Sequence, residues 1–226
     1  MSFELKNTVP WGRNLEEYKS MFNLTKSEMN KRIISFGDGP ASFNYEMKKQ
    51  GKSVTSIDPI YQFSKKDLKK RIEETKDTVI KQMKENKDNF IWTSIRNVDE
   101  LERIRMGAMS DFINDFELGI SQNRYIHHEL PETTNFKEQT FDLGLSSHFL
   151  ILYSKLGVDF HIKSIAEMLR ICKEVRVFPI LNLNAEKSEV LKSIKEGFEK
   201  DYILSIEPVQ YEFQKGGNKM LKMQRK

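Results

Sequence analysis

Lys31-Arg-Ile-Ile-Ser-Phe-Gly-Asp-Gly-Pro-Ala-Ser-Phe43, with Ser53-Val-Thr-Ser-Ile-Asp58 close behind it, reads as strand, glycine turn, helix and second strand, the last ending in an acid. Ile33, Ile34 and Phe36 supply a short apolar strand. Gly37-Asp38-Gly39 lets the backbone turn sharply where a Cβ would collide with a ligand. Pro40 stands where the next helix should begin, a position whose N–H has no intrahelical partner, and Gly51 marks that helix's end. Asp58 comes about 20 residues after Gly37, the separation at which a carboxylate at the tip of a second strand accepts hydrogen bonds from both ribose hydroxyls. The unit is read as a nucleoside-binding one in an α/β fold.

With 226 residues, 38% of them hydrophobic, and no Pro/Gly/Ser-rich linker, residues 1–226 are expected to form one domain around one core. The formal charge is only +4, and the lysines between Lys65 and Lys87 alternate with acids, which reads as a solvated helix face rather than a nucleic-acid footprint. Lys215 to Lys226 differs, with Lys215, Lys219, Lys222, Arg225 and Lys226 and no acid; protection of an edge strand explains it as well as RNA contact does. Cys172, the only cysteine, excludes a disulfide framework and a cysteine-rich metal site, and reads as a small apolar residue of a helix from about Asp159 to Lys173. The sequence shows neither a signal-peptide pattern nor an apolar run of membrane-spanning length, so a cytoplasmic protein is expected.

Before the first strand, residues 1–30 form an N-terminal helical segment in which Asn14 caps a helix with Glu17 three residues on, and Thr25 and Glu28 repeat that box. Tyr18, Met21 and Phe22 give it one apolar side, which should pack near the glycine turn. After Asp58, residues 61–120 make a helical insertion or cap in place of a short crossover. Ser64 and Asn97 are its N-caps; Leu68, Ile72, Ile80 and Met83 mark one apolar stripe, and Leu101, Ile104, Ala108, Phe112 and Phe116 another. Part of this insertion should cover the carboxyl ends of the strands, where open α/β sheets bind ligands. Arg124-Tyr-Ile-His-His-Glu-Leu-Pro131 reads as a third strand with its exit loop, Thr140-Phe-Asp-Leu-Gly-Leu-Ser-Ser-His-Phe149 as a fourth and Glu174-Val-Arg-Val-Phe-Pro-Ile-Leu181 as a fifth. A helix over Glu186–Lys200 precedes a closing hairpin, Tyr202 to Phe213 and Lys219 to Met223, about the turn at Gly216-Gly217.

Nicotinamide dinucleotides and S-adenosylmethionine share this frame, and three details favour the methyl donor. Ala41 suits a Gly-x-Gly-x-Gly/Ala loop while Ser42 breaks Gly-x-Gly-x-x-Gly; Pro40 removes a donor that a pyrophosphate would use; and the sheet ends in an antiparallel hairpin. With the glycine turn, the acidic second strand, the x-Leu-Pro exit loop and Phe-Asp-Leu-x-Leu-Ser in order, the chain resembles the class I S-adenosylmethionine-dependent methyltransferases over roughly residues 31 to 223. Val9-Pro-Trp-Gly-Arg13, Asp58-Pro59, Tyr211-Glu-Phe-Gln and Gly216-Gly-Asn-x-Met220 look like a bacterial branch of undefined substrate.

That resemblance implies a Rossmann-like, mostly parallel seven-stranded sheet with helices on both faces and a terminal antiparallel hairpin. It also implies that Gly37, Asp38, Gly39 and Pro40 lie under the donor and that Asp58, with Pro59, holds the ribose. Glu129 and Leu130 would border adenine, and Ser146, Ser147, His148 and Phe149 would lie beside the donor methyl. Two positions depart from the family pattern: Ser35 replaces an acid two residues before the first glycine, and the third-strand exit loop lacks its Asp, so backbone groups or Glu129 would take adenine N6.

Methyl transfer from a sulfonium needs alignment, desolvation and sometimes a base. His148, directly after the fourth strand, is the candidate base, or else a residue that shapes the pocket. Trp11, Arg13, Tyr61, Trp92 and Tyr153 are candidate acceptor-site residues with Phe149; Arg13 could grip the donor carboxylate or an acidic acceptor. His127 and His128 are adjacent and would point to opposite faces of a strand, so no metal site is expected. Ser146-Ser-His-Phe149 stands where exocyclic-amine methyltransferases carry Asn/Asp-Pro-Pro-aromatic, and no Pro-Cys nucleophile exists for cytosine chemistry. These readings favour a small-molecule acceptor, with an RNA methyltransferase or a non-catalytic S-adenosylmethionine-binding module as alternatives.

Overall fold

The computed structural model describes residues 11–226; Val9 and Pro10 of the N-terminal motif lie outside the described residues. Seven strands form one sheet: β1 (Ile33–Phe36), β2 (Val54–Asp58), β3 (Tyr125–His127), β4 (Phe141–Ser147), β5 (Cys172–Phe178), β6 (Tyr202–Pro208) and β7 (Lys219–Arg225), in the order β3-β2-β1-β4-β5-β7-β6. Only β7 runs against the rest, paired antiparallel to both β5 and β6. This is the Rossmann-like class I arrangement that the resemblance implied.

Alternation along the strands sorts the core onto two faces. Ile33, Leu143, Leu145 and Met220 join a cluster with α1 (Leu15–Phe22), α2 (Phe43–Lys49), α3 (Lys65–Glu85) and α4 (Val98–Ser121). Ile34, Phe36, Val175, Val177, Leu221 and Met223 join the opposite cluster with α5 (Val158–Ile171) and α6 (Glu189–Phe198). A third cluster, in which Leu68 and Ile72 meet Met109, Phe112 and Phe116, ties α3 to α4 beside Tyr125 of β3. None of the described helices is long and apolar enough to cross a membrane.

The expected caps are present. Asn14 and Glu17 form a reciprocal capping box on α1, Ser64 caps α3 through Asp67 N–H, and Asn97 caps α4 through Glu100 N–H. Thr25 and Glu28 exchange the same pair of bonds on a single 3₁₀ turn.

Several expectations are corrected. The helix after the glycine turn starts at Phe43, not at Pro40, because Ser42 N–H donates to Arg13 O at 3.0 Å and the Pro40–Ala41 backbone lies against Gly12, whose added Cβ would stand 2.0 Å from Pro40 O. Cys172 is not helical. It is the extended first residue of β5, paired with Phe141, since α5 passes into the strand without a loop. Burial satisfies either reading of the pattern, and burial also pushes this thiol up in pKa and leaves it no nucleophile.

The helix expected over Glu186–Lys200 spans only Glu189–Phe198, where the Ser188 hydroxyl supplies the cap. The hairpin strands are joined by residues 209–218 rather than by a tight Gly-Gly turn. The basic tail does not protect an edge, because β7 is interior and β6 is the edge; Lys222 lies near Glu174 and Glu207, at 3.8 and 3.7 Å.

Candidate functional site

The sheet order reverses between β1 and β4, and at the carboxyl ends of these strands lies a cavity of about 900 Å³. Its floor is the turn Gly37–Ala41 with Asp58 and Pro59, and its far wall is Ser147 to Phe149 after β4. Leu68, Ile72, Val79 and Met83 of α3 cover one side, Trp11 and Arg13 another, and Phe213 of the loop before β7 a third. The lining joins these apolar side chains to charged ones, among them Asp67, Lys70, Arg71 and Glu74 of α3 and Lys215, around a hollow of a size that holds a small molecule.

The two glycines of the turn have different reasons to be glycine. Both are left-handed, at φ +62° and +58°. A Cβ on Gly37 would stand 2.5 Å from Phe149 Cδ1, so Gly37 admits a protein ring. A Cβ on Gly39 would meet nothing within 4 Å, and the residue lines the cavity. Gly39 is therefore the open cradle, a surface a ligand can approach as far as the backbone itself.

Asp58 closes this floor. Its Oδ2 accepts Gly39 N–H at 2.8 Å and its Oδ1 accepts Ile60 N–H at 2.9 Å. A carboxylate has about four acceptor directions, so each oxygen retains capacity for a further donor such as a ribose hydroxyl. Burial pushes the pKa of Asp58 up to about 6 against the pull of those two N–H groups, the Asp38 charge adding to the rise. Tyr61 stands behind the turn, its hydroxyl donating to Gly39 O at 2.8 Å, and is a buried clamp rather than a cavity wall.

Asp38 faces the cavity with part of its surface, but its carboxylate is held from within. Ser35 Oγ donates to it at 2.6 Å, and the hydroxyls of Ser56 and Tyr18 also donate. Burial still raises its pKa. The burial of Tyr18 and the adjoining carboxylate raise the phenol well above its ordinary range, so it stays a donor. The acid absent at Ser35 thus has a counterpart three residues on, bonded to that same serine.

Arg13, Arg105 and His148 gather at the inner end. Arg105 reaches in from α4, wholly buried, and donates to Glu17 at 2.5 Å and to Tyr211 Oη at 3.3 Å. Arg13 donates to Trp11 O at 3.1 Å. His148, itself left-handed at φ +52°, shares a 2.9 Å hydrogen bond with Ser147 Oγ through Nδ1 and packs edge-on to Phe178 and Tyr211. Burial, then the charges of Arg13 and Arg105, hold its pKa well below the usual imidazole value. The ring is neutral at neutral pH and a weak proton acceptor. In that form it can accept a hydrogen bond or a proton from a group placed at the far wall.

Among the sequence candidates, Trp11, Arg13, Gly37, Asp38, Gly39, Pro40, Asp58, Pro59, Ser147, His148, Phe149 and Tyr153 meet at this cavity. Ser146, Glu129, Leu130 and Trp92 do not line it. Ser146 points to the other side of β4 from Ser147, buried with its hydroxyl unpartnered. β3 ends at His127, after which Leu130 turns into the core while Glu129 is exposed, so neither borders the hollow. Trp92 packs on Phe213 and donates to Lys87 O. The reading missed Arg105 and Phe213, and misread Tyr18 as simple core. An arginine on the apolar side of α4, one residue after Ile104, was the available signal for Arg105.

No protein-family model matches the chain. It is 40% identical over 223 residues to the uncharacterized protein MJ0045 of Methanocaldococcus jannaschii, with 98% of each chain covered. Among solved structures it resembles the PH0226 protein of Pyrococcus horikoshii (8% identity, 93% of this chain and 90% of that one, TM-score 0.47). It also resembles a TehB-like SAM-dependent methyltransferase of Corynebacterium glutamicum (13% identity, 93% and 87%, TM-score 0.47).

Proposed function

We propose that this chain, which belongs to the same family as the uncharacterized archaeal protein MJ0045, is an S-adenosylmethionine-dependent methyltransferase acting on a small molecule. That relative is archaeal, and nothing here supports a bacterial branch. The observation that carries the reading is the open, left-handed Gly39 bonded to Asp58 at the switch point of a sheet whose β7 is antiparallel.

The residues present fit the donor. Gly39 offers a floor without a side chain, Asp58 two free acceptor directions for ribose hydroxyls, and Pro59 and Ile60 an apolar edge for a base. The bound donor would supply a methyl group on a sulfonium, already activated for displacement. The chain's part is positioning: Ser147, His148 and Phe149 bound the far wall, where an acceptor would meet the methyl in line, and α3 excludes water. A neutral His148 can orient an acceptor hydroxyl or amine without storing its proton, which suits an acceptor nucleophilic enough to need no strong base. The extent of apolar wall, including Leu68, Ile72, Val79 and Met83, supports a small, partly apolar acceptor over an RNA strand.

Calorimetric titration with S-adenosylhomocysteine, S-adenosylmethionine and NAD tests the reading. Binding of the first two and not the third is expected; the reverse pattern would remove the assignment. A donor-binding protein that transfers no methyl to small molecules or RNA would be a binding module, and salt-sensitive RNA binding would instead favour an RNA acceptor.

A further inference from the structure

At the inner end of the cavity, cations outnumber the anions bonded to them. Among the described residues, Glu17 is the carboxylate bonded to Arg105, and no carboxylate is hydrogen-bonded to Arg13. The Nε atoms of both arginines are buried without a partner. Asp38, the nearest acid on the turn, is occupied by Tyr18, Ser35 and Ser56. His148 and Tyr211 add no compensating charge, since burial holds the first neutral and the second protonated. A guanidinium whose Nε is buried without a partner and which has no carboxylate beside it is costly in such a place, and planar bidentate contact with a carboxylate is the geometry that relieves it.

We infer that Arg13 and Arg105 form a carboxylate-binding subsite beside His148, completed by the carboxylate of a ligand. Its depth beside an apolar hollow fits a compact organic acid. The carboxylate has two possible sources, the amino-acid end of the methyl donor or an acidic acceptor, and the inference rests on the methyltransferase reading only for that choice. Burial, and then repulsion from Arg105, lowers the pKa of Arg13, and a carboxylate from either source relieves that repulsion.

The test uses the full chain and the variants Arg13→Gln and Arg13→Lys, checked for folding by circular dichroism, with calorimetry as readout. In the first arm the probes are S-adenosylhomocysteine and 5′-methylthioadenosine, which shares the nucleoside and thioether but lacks the carboxylate. A loss on the order of tenfold for the former alone in Arg13→Gln assigns the subsite to the donor. In the second arm benzoate, phenylacetate and succinate are compared with their amides, in the presence and absence of S-adenosylhomocysteine. Preference for the acids in the wild type, abolished in Arg13→Gln and reduced in Arg13→Lys, assigns it to an acceptor. No carboxylate-dependent loss in either arm overturns the inference. Failure of the wild type to bind either nucleoside would instead count against the methyltransferase reading, and the second arm without nucleoside would still decide the subsite. Should Arg13→Gln not fold, Arg13→Lys carries both arms, because it keeps the charge and loses the bidentate fork.

Discussion

Asp58 holds Gly39 directly: the carboxylate at the tip of β2 accepts the N–H of the turn that follows β1, at 2.8 Å. The residue expected to bind the ribose therefore also shapes the floor on which the ribose would rest. This dual use has a pH signature.

Ionised Asp58 is the form that accepts ribose hydroxyls, and in the free protein it is formed only above a pKa of about 6. Affinity for S-adenosylhomocysteine should fall as pH drops through 6, approaching tenfold per unit, and level off above about 7. Asp58→Asn should bind on the order of tenfold more weakly at pH 7.5 and lose this dependence. The stability of the free protein should move oppositely. Because the folded pKa is raised above 3.8, the unfolded chain ionises first, and this group's contribution to stability is lost as pH rises from about 4 to about 6. Calorimetry and urea titration across pH 4 to 8 would check both; a flat binding profile would make Asp58 a turn residue alone.

The two turn glycines should separate on substitution. Gly39→Ala pays only the left-handed strain of roughly 1–2 kcal/mol in stability but intrudes on the cradle, so donor affinity should drop by more than stability does. Gly37→Ala adds a clash with Phe149 and should lower the melting temperature further, with Phe149→Leu restoring part of it. Equal melting temperatures for the two alanine variants would contradict this assignment.

Arg105 and Glu17 join α4 to α1 through a buried ion pair. Arg105→Met should cost roughly 3–5 kcal/mol because it leaves the Glu17 carboxylate buried without its partner. Adding Glu17→Gln should recover a large part of that loss. Denaturant unfolding of the two variants measures it, and an Arg105→Met protein as stable as the wild type would show that Glu17 is satisfied without the pair.

Of the two helices after β2, α4 belongs to the core, contributing the fully buried Leu101, Arg105 and Phe112, whereas α3 presents Leu68, Ile72, Val79 and Met83 to the cavity. S-adenosylhomocysteine should therefore slow amide hydrogen exchange in residues 65–85 and at the 37–41 turn, with α5 on the opposite face unchanged. Unaltered exchange in α3 would mean that it does not cover the site.

The frame was readable because its signals are local. A short apolar strand, two glycines, an acid about 20 residues later and three N-caps each act within a few residues, and the structure realises them at Ile33–Phe36, Gly37, Gly39, Asp58, Asn14, Ser64 and Asn97. The strand ends were less readable. Cys172 is as apolar and as buried in β5 as it would be in α5, so pattern could not separate them. The basic tail looked like an edge because chain order does not reveal that the last strand inserts between two others.

Site chemistry divides along the same line. The residue types at Gly39, Asp58, Arg13 and His148 are written in the chain, and with them the expectation of a nucleoside floor and a polar far wall. Which groups are already engaged depends on contacts between distant segments: Glu17 with Arg105, Asn44 with Arg124, Tyr18 with Asp38, and Phe149 over Gly37. A guanidinium or carboxylate is free or occupied only after packing has set its neighbours and removed its water. The neutrality of His148, the raised pKa of Asp58 and the unpartnered Nε of Arg13 therefore arise from burial in the folded chain, since a residue's identity does not fix its solvation.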